Sequence, residues 1–164
     1  MPFDGLATER RGSAEGPTAL RQASRGIGAY RLSTDATVDR ARLAVDLGDV
    51  TVNRFDLTSS FEPVRQRVRE AIETRARPIT VGGDHSLTYA AVTAAAAAYE
   101  DLRLVQIDAH HDATDPAETG CTYHHGTFVR NLIEDGALRG NDVHQIGVRD
   151  FQFSESGARF LQAR

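Results

Sequence analysis

The chain has no lysine; all 19 of its basic residues are arginine. Without an ε-amine there is no Schiff-base chemistry and no P-loop lysine to cradle a phosphate. Cysteine is nearly absent as well, with Cys121 the only one. A single thiol makes no intrachain disulfide, which fits a reducing cytoplasm. Long hydrophobic runs are missing: the most apolar stretch, residues 89–99, is mostly alanine and too short to span a bilayer. The N-terminus has no basic segment leading into an apolar core, so no signal peptide is visible. The formal net charge of −4 gives no electrostatic reason to bind nucleic acid or an anionic membrane. These absences read as a soluble, cytoplasmic protein with neither nucleic acid nor membrane as partner.

A length of 164 residues, 40% hydrophobic and 26% charged, fits one globular domain able to bury a core. The first forty residues are rich in Gly, Ser, Thr and Arg and read as loops with one short helix near residues 18–24. Residues 42–47 alternate apolar and polar before Gly48-Asp49, the pattern of a strand and its exit turn. Residues 62–77 predict a helix with Pro63 in its first turn, Val64, Val68, Ala71 and Ile72 on one face, and Pro78 as its stop. A short strand at 79–81 leads through Gly82-Gly83, which permit a tight turn, into a helix that begins at Ser86 and runs through the alanines. Residues 102–108 are the best strand in the chain; a helix near 128–135 and a strand at 143–149 follow. Alternating strands and helices predict an α/β fold with a mainly parallel sheet. The tail from 151 to 164 shows no further strand–helix unit.

The chemistry is concentrated. Five of the six histidines lie between residues 85 and 125, among aspartates at the ends of apolar strands. In open α/β sheets, ligands gather beyond the carboxyl ends of the strands. Asp108, His110 and Asp112 are spaced by two, so in extended backbone they face one way, with Ala109 and His111 turned away. Carboxylates mixed with imidazoles suit a divalent ion such as manganese, with zinc, iron or cobalt as competitors. No thiolate belongs to the group, which argues against structural zinc. A lone Asp-x-His is usually a solvated turn, but Asp-Ala-His-His-Asp closing a buried strand needs cations to offset its carboxylates.

Gly82-Gly83-Asp84-His85-Ser86, followed by Asp108-Ala109-His110-His111-Asp112, resembles the first two signatures of the ureohydrolases, the arginase and agmatinase superfamily. Pro2-Phe3-Asp4-Gly5, Gly16-Pro17-x-Ala19-Leu20-Arg21 and Asp46-x-Gly48-Asp49-Val50 extend the likeness along nearly the whole chain. His125-Gly126-Thr127 and Gln145-Ile146-Gly147-Val148-Arg149 resemble agmatinases more than arginases. The resemblance implies a three-layer, arginase-like α/β fold and a binuclear manganese (Mn2+) site. It implies that His85 binds one ion and His110 the other, that Asp108 bridges both, and that Asp112 joins the ion of His85. The implied reaction is attack of metal-bound hydroxide on the guanidinium carbon of a small guanidino substrate, releasing urea and an amine. His125 then shuttles a proton to the leaving amine. Asp84 is expected to orient a ligand or hold the turn, and His144 to be structural. Thr114 stands where arginases carry an asparagine that reads the amino-acid end of their substrate, which argues against arginine. Members of the superfamily are commonly homo-oligomers.

The resemblance breaks at the C-terminal end. The superfamily completes its metal site with a Ser-x-Asp-x-Asp-x-x-Asp-Pro segment, on a strand between those ending at His85 and Asp112, and nothing after Arg149 resembles it. Residues 1–164 therefore read as a partial arginase-like domain lacking its C-terminal part. Two expectations follow: an agmatinase-like amidinohydrolase, or a truncated, inactive relative that at most binds metal. A third reading, an unrelated α/β binding module, requires several motif matches to be coincidence.

Overall fold

A single aspartate starts the longest helix. The Asp56 carboxylate accepts the backbone N–H groups of Thr58 (3.0 Å) and Ser59 (3.3 Å), two donors that a helix start leaves unpaired. The computed structural model describes residues 1–8, 10–39, 44–149 and 154–164. In chain order its elements are helix α1 (Gly16–Ser24), strands β1 (Tyr30–Arg31) and β2 (Ala36–Thr37), and helices α2 (Leu57–Glu73) and α3 (Thr88–Ala96). Strand β3 (Leu104–Ile107), helices α4 (Pro116–Thr119) and α5 (Phe128–Glu134), strand β4 (Val143–Ile146) and helix α6 (Glu155–Gln162) follow.

Helix α2 begins earlier than the sequence predicts, because the Asp56 cap recruits a turn that reads as polar. Leu57 and Phe61 then extend the buried stripe of Val64, Val68 and Ala71. Pro63 consequently lies inside the helix rather than in its first turn. The helix also stops before Pro78. Arg75 adopts a left-handed φ of 59°, and its N–H donates to Ile72 O (2.8 Å) while that of Ala76 donates to Ala71 O (3.1 Å). Those two bonds satisfy carbonyls that the helix end would leave open.

Strands β3 and β4 pair in parallel, Leu104 opposite Val143 and Ile107 opposite Ile146. The core lies between helices α2, α3 and α5 and the side of this pair carrying Leu104 and Val143. Phe128, Val129 and Leu132 of α5 are fully buried, and burial of each contributes about 1.5–3 kcal/mol. Alanines at 90 and 94 let α3 sit close to its neighbours, while the Tyr89 ring packs 5.2 Å from Phe61 and 4.9 Å from Tyr123. The other side of β3 is open: Val105 is 57% and Ile107 80% exposed.

Two expected strands take another form. Residues 79–81 join no ladder among the described residues, and Ile79 is 82% exposed. The Val81 carbonyl is instead taken by the Met1 amino group at 2.7 Å. Of the strand expected at 42–47, residues 42 and 43 lie outside the described residues, and 44–47 join no ladder. Arginines hold that segment: Arg21 pairs with Asp46 at 2.6 Å and Asp49 at 2.8 Å, and Arg67 donates to Leu47 O at 2.6 Å. The expected turn after it is present, with Gly48 at φ 77° and its N–H bonded to Asp46 Oδ1. The tail differs as well, since α6 forms behind a Ser154 cap whose Oγ accepts the Gly157 N–H at 3.0 Å.

Gly83 is needed for a reason other than turn geometry. It has no left-handed φ, but the backbone of Phe3 lies where a side chain would project. Gly83 N–H donates to Met1 O (3.3 Å) and Asp84 N–H to Phe3 O (2.7 Å), which lashes the N-terminal segment beneath the turn that carries His85. A Cβ on Gly83 would stand 1.8 Å from Phe3 O. Gly83→Ala is expected to destabilise the chain by about 2–3 kcal/mol through forced displacement of that segment. The shift in the urea unfolding midpoint measures it.

Candidate metal centre

The ladder between β3 and β4 continues past both strands and then gives way to a turn. Asp108 N–H donates to Ile146 O (3.1 Å) and Arg149 N–H to Ala109 O (2.9 Å). Asp108 Oδ1 accepts the His110 N–H at 2.9 Å, the local bond by which an aspartate closes a turn. Asp112 has a left-handed φ of 47°, and its carbonyl accepts the Val129 N–H at 3.0 Å, which clamps it to the start of α5. The sequence spacing predicts convergence through extended backbone. The structure reaches it through this turn, because the strand ends at Ile107 and the aspartate side chain captures its own loop.

His85 comes from a different segment. Asp84 caps the short 3-10 helix His85–Leu87 by accepting the Ser86 N–H at 3.0 Å, and its other oxygen accepts the Leu6 N–H at 3.2 Å. Asp84 thus holds the turn. The His85 ring rests on Phe128 with centroids 4.5 Å apart.

His85 Nδ1 lies 3.1 Å from Asp112 Oδ2 and 3.5 Å from Asp108 Oδ2. One ligand atom from each of His85, Asp108 and Asp112 falls within 4.8 Å of the others, close enough to share an ion. His110 stands outside that trio. Its Nδ1 is 3.3 Å from Asp108 Oδ1, the opposite oxygen of the same carboxylate. Side-chain exposure grades from 8% at Asp112 through 24% at Asp108 and 38% at His85 to 50% at His110, so the group opens to solvent on the His110 side.

Burial lowers the His85 pKa, but the hydrogen bond to Asp112 and the charges of Asp112, Asp108 and Asp84 outweigh it, and the net shift is upward. Burial raises the Asp108 carboxyl, yet the His110 backbone N–H and the charges of His85 and His110 prevail and the net shift is downward. Two carboxylates so close favour a cation, which a proton on His85 supplies in part. An imidazole with two carboxylates also suits manganese by ligand chemistry.

His125 is half-buried and stacks on His124 with ring centroids 3.8 Å apart. Its Nδ1 is buried and makes no hydrogen bond among the described residues, and none joins it to the His85 trio. Hydrogen bonds brace the loop beneath: Thr127 Oγ1 accepts the His124 N–H (2.9 Å) and donates to Thr122 O (3.0 Å), and Thr114 N–H donates to Gly126 O (3.0 Å). His111 is buried on the other side of the turn, its Nδ1 accepting the Ala113 N–H at 2.9 Å and its ring backed by Gly157 of α6. His144 is exposed on β4.

Sequence reasoning gave no role to Gln106 and Gln145. Gln106 Nε2 donates to Asp112 Oδ2 at 2.7 Å, and Gln145 Nε2 donates to Gln106 Oε1 at 2.6 Å. The available signal was a glutamine between Val105 and Ile107 in an otherwise apolar strand.

The model of the arginase family matches residues 1–163. The chain belongs to the arginase family. It is 33% identical over 160 residues to the mitochondrial agmatinase of Gallus gallus, covering 98% of this chain and 47% of that protein. It is 36% identical over 151 residues to proclavaminate amidinohydrolase of Streptomyces clavuligerus, covering 90% of this chain and 47% of that protein. Formimidoylglutamase from Bacillus subtilis superposes with a TM-score of 0.87 at 26% identity, over 99% of this chain and 50% of that one. The α/β fold with a parallel sheet is therefore the arginase fold, and the chain spans about half the length of these relatives. Among solved structures, Trypanosoma cruzi formiminoglutamase, determined with two Mn2+ ions, superposes with a TM-score of 0.83 at 24% identity. No described helix is long and apolar enough to cross a membrane.

Burial lowers the His111 pKa below the ordinary histidine value. Between the lower folded value and about 6.5, the unfolded chain binds the extra proton. The stability that neutral His111 contributes is therefore complete above about 6.5 and lost as pH falls below it. Urea midpoints measured from about pH 7.5 down to about pH 5.5 should fall less steeply for His111→Gln than for the parent. Equal slopes would show that another group sets the acid limb.

Proposed function

We propose that this chain carries the manganese-binding portion of an agmatinase-type amidinohydrolase, which splits a small linear amidine into urea and an amine. The observation that carries the reading is the convergence of His85, Asp108 and Asp112 within 4.8 Å. In this reading, His85, Asp112 and Asp108 would hold one ion, and Asp108 together with His110 the second. Bound there, Mn2+ would lower the pKa of water enough to supply hydroxide as the nucleophile for a guanidinium carbon near neutral pH. His125 would move a proton to the departing amine nitrogen, in keeping with its place on a loop braced by Thr127. Support for the substrate class comes from the relatives' names, which include agmatinase, guanidino acid hydrolase, formimidoylglutamase and proclavaminate amidinohydrolase. The His125-Gly126-Thr127 motif and Thr114 favour agmatine or guanidinobutyrate over arginine. The reading further takes residues 1–164 as part of one arginase-like domain, in a cytoplasmic homo-oligomer.

A second reading, in which these 164 residues bind metal but do not turn over, is favoured by their spanning about half of each relative. The two are separated by titrating Mn2+ into the purified chain, following free Mn2+ by electron paramagnetic resonance, and assaying urea from agmatine and guanidinobutyrate. Binding with urea release supports the first reading, binding without it the second, and no binding overturns the first and leaves an inactive relative without a metal site. His85→Ala and Asp108→Asn should each weaken binding at least about tenfold. Affinity should also rise with pH until His85 is neutral, a point above its ordinary value of about 6.5, because the ion displaces the His85 proton. Affinity independent of pH across that range would remove His85 from the ligand set.

A further inference from the structure

We propose that Gln106 and Gln145 form a two-amide relay that aims the Asp112 carboxylate at the metal position. Both are positioning residues, and the inference rests on the metal-binding reading above. The parallel register sets Gln106 of β3 directly opposite Gln145 of β4. Gln106 is only 5% exposed, on the buried side of a strand whose Val105 and Ile107 face outward. A buried amide is costly unless both its ends are bonded, and here both are.

The bonding also fixes which end is which. Gln145 Nε2 meets two oxygens, His111 O at 2.7 Å and Gln106 Oε1 at 2.6 Å. His111 O is a backbone carbonyl and cannot donate, so the nitrogen end of Gln145 must point there. The oxygen of Gln106 then faces Gln145, and its nitrogen is turned to Asp112 Oδ2 at 2.7 Å, with a longer contact of 3.4 Å to His110 O. A carboxylate only accepts, so the chain of donors ends correctly at Asp112. That same oxygen stands 3.1 Å from His85 Nδ1. The Asp112 backbone is separately clamped, with φ 47° and its carbonyl on the Val129 N–H. Main chain and side chain of Asp112 are thus each held by a hydrogen bond, and loss of a residue that orients a ligand typically costs about 10–100-fold in metal affinity.

The test measures the Mn2+ dissociation constant by paramagnetic resonance for the full chain, Gln106→Met, Gln145→Met and the double variant, with circular dichroism to confirm folding. Gln106→Met should bind about tenfold more weakly or worse. Gln145→Met should fall between it and the parent, because it leaves the donor in place but unaligned. The double variant should bind no more weakly than Gln106→Met, since both changes act along one path. Undiminished affinity in folded Gln106→Met, or additive losses in the double variant, overturns the relay. If Gln106→Met does not fold, the Gln145→Met affinity and side-chain amide exchange in the metal-free parent decide. Slow exchange of the Gln106 amide protons that quickens in Gln145→Met supports the relay, and fast exchange in the parent overturns it. A parent that binds no manganese overturns the metal reading instead, and amide exchange still judges the relay.

Discussion

Leu104 to Ile107 run alongside Val143 to Ile146 in parallel, and a slip of one residue would turn every side chain of β3 to the opposite face. In the observed register Leu104 enters the core and Gln106 meets Gln145. The ladder reaches Asp108 and Ala109 before the chain turns, so the first carboxylate of the site is held at the sheet's end by backbone bonds. The second carboxylate, Asp112, is then set by α5 through Val129 and by Gln106 through its side chain. The cluster depends less on any single bond than on this pairing.

The electrostatics follow from that placement. Asp112 is almost fully buried beside Asp108, and an isolated buried carboxylate costs several kcal/mol. Within the chain the compensation is local: a Gln106 amide donor, the His110 backbone N–H on Asp108, and a His85 whose proton is held more tightly than usual. Burial alone would act the other way on His85, so the upward shift is the signature of carboxylates winning over desolvation.

Much of this was legible in the residues. The apolar runs around Leu104 and Val143 marked the two strands that pair, and the Asp–His spacing marked the cluster. Helix α2 was legible on its Val64, Val68 and Ala71 face, but its start was hidden because Asp56, Thr58, Ser59 and Ser60 are short polar residues that only the cap geometry ties to the helix. Residues 79–81 have strand composition, yet a strand is a property of two segments, and no second segment pairs with them among the described residues. The Gln106–Gln145 bond is invisible for the same reason: register, not composition, puts two distant glutamines together.

The donors nearest one another belong to two pieces of chain that share no ladder among the described residues: His85 on the turn after 79–81, Asp108 and Asp112 after β3. An ion held between them would act as a cross-link, closing a loop that contains all of α3. Cross-links of that kind restrict the unfolded ensemble as well as filling a site, so metal affinity and resistance to unfolding become one linked quantity. Each rise in free-ion concentration above the dissociation constant would then tighten the hold between the His85 turn and the end of β3.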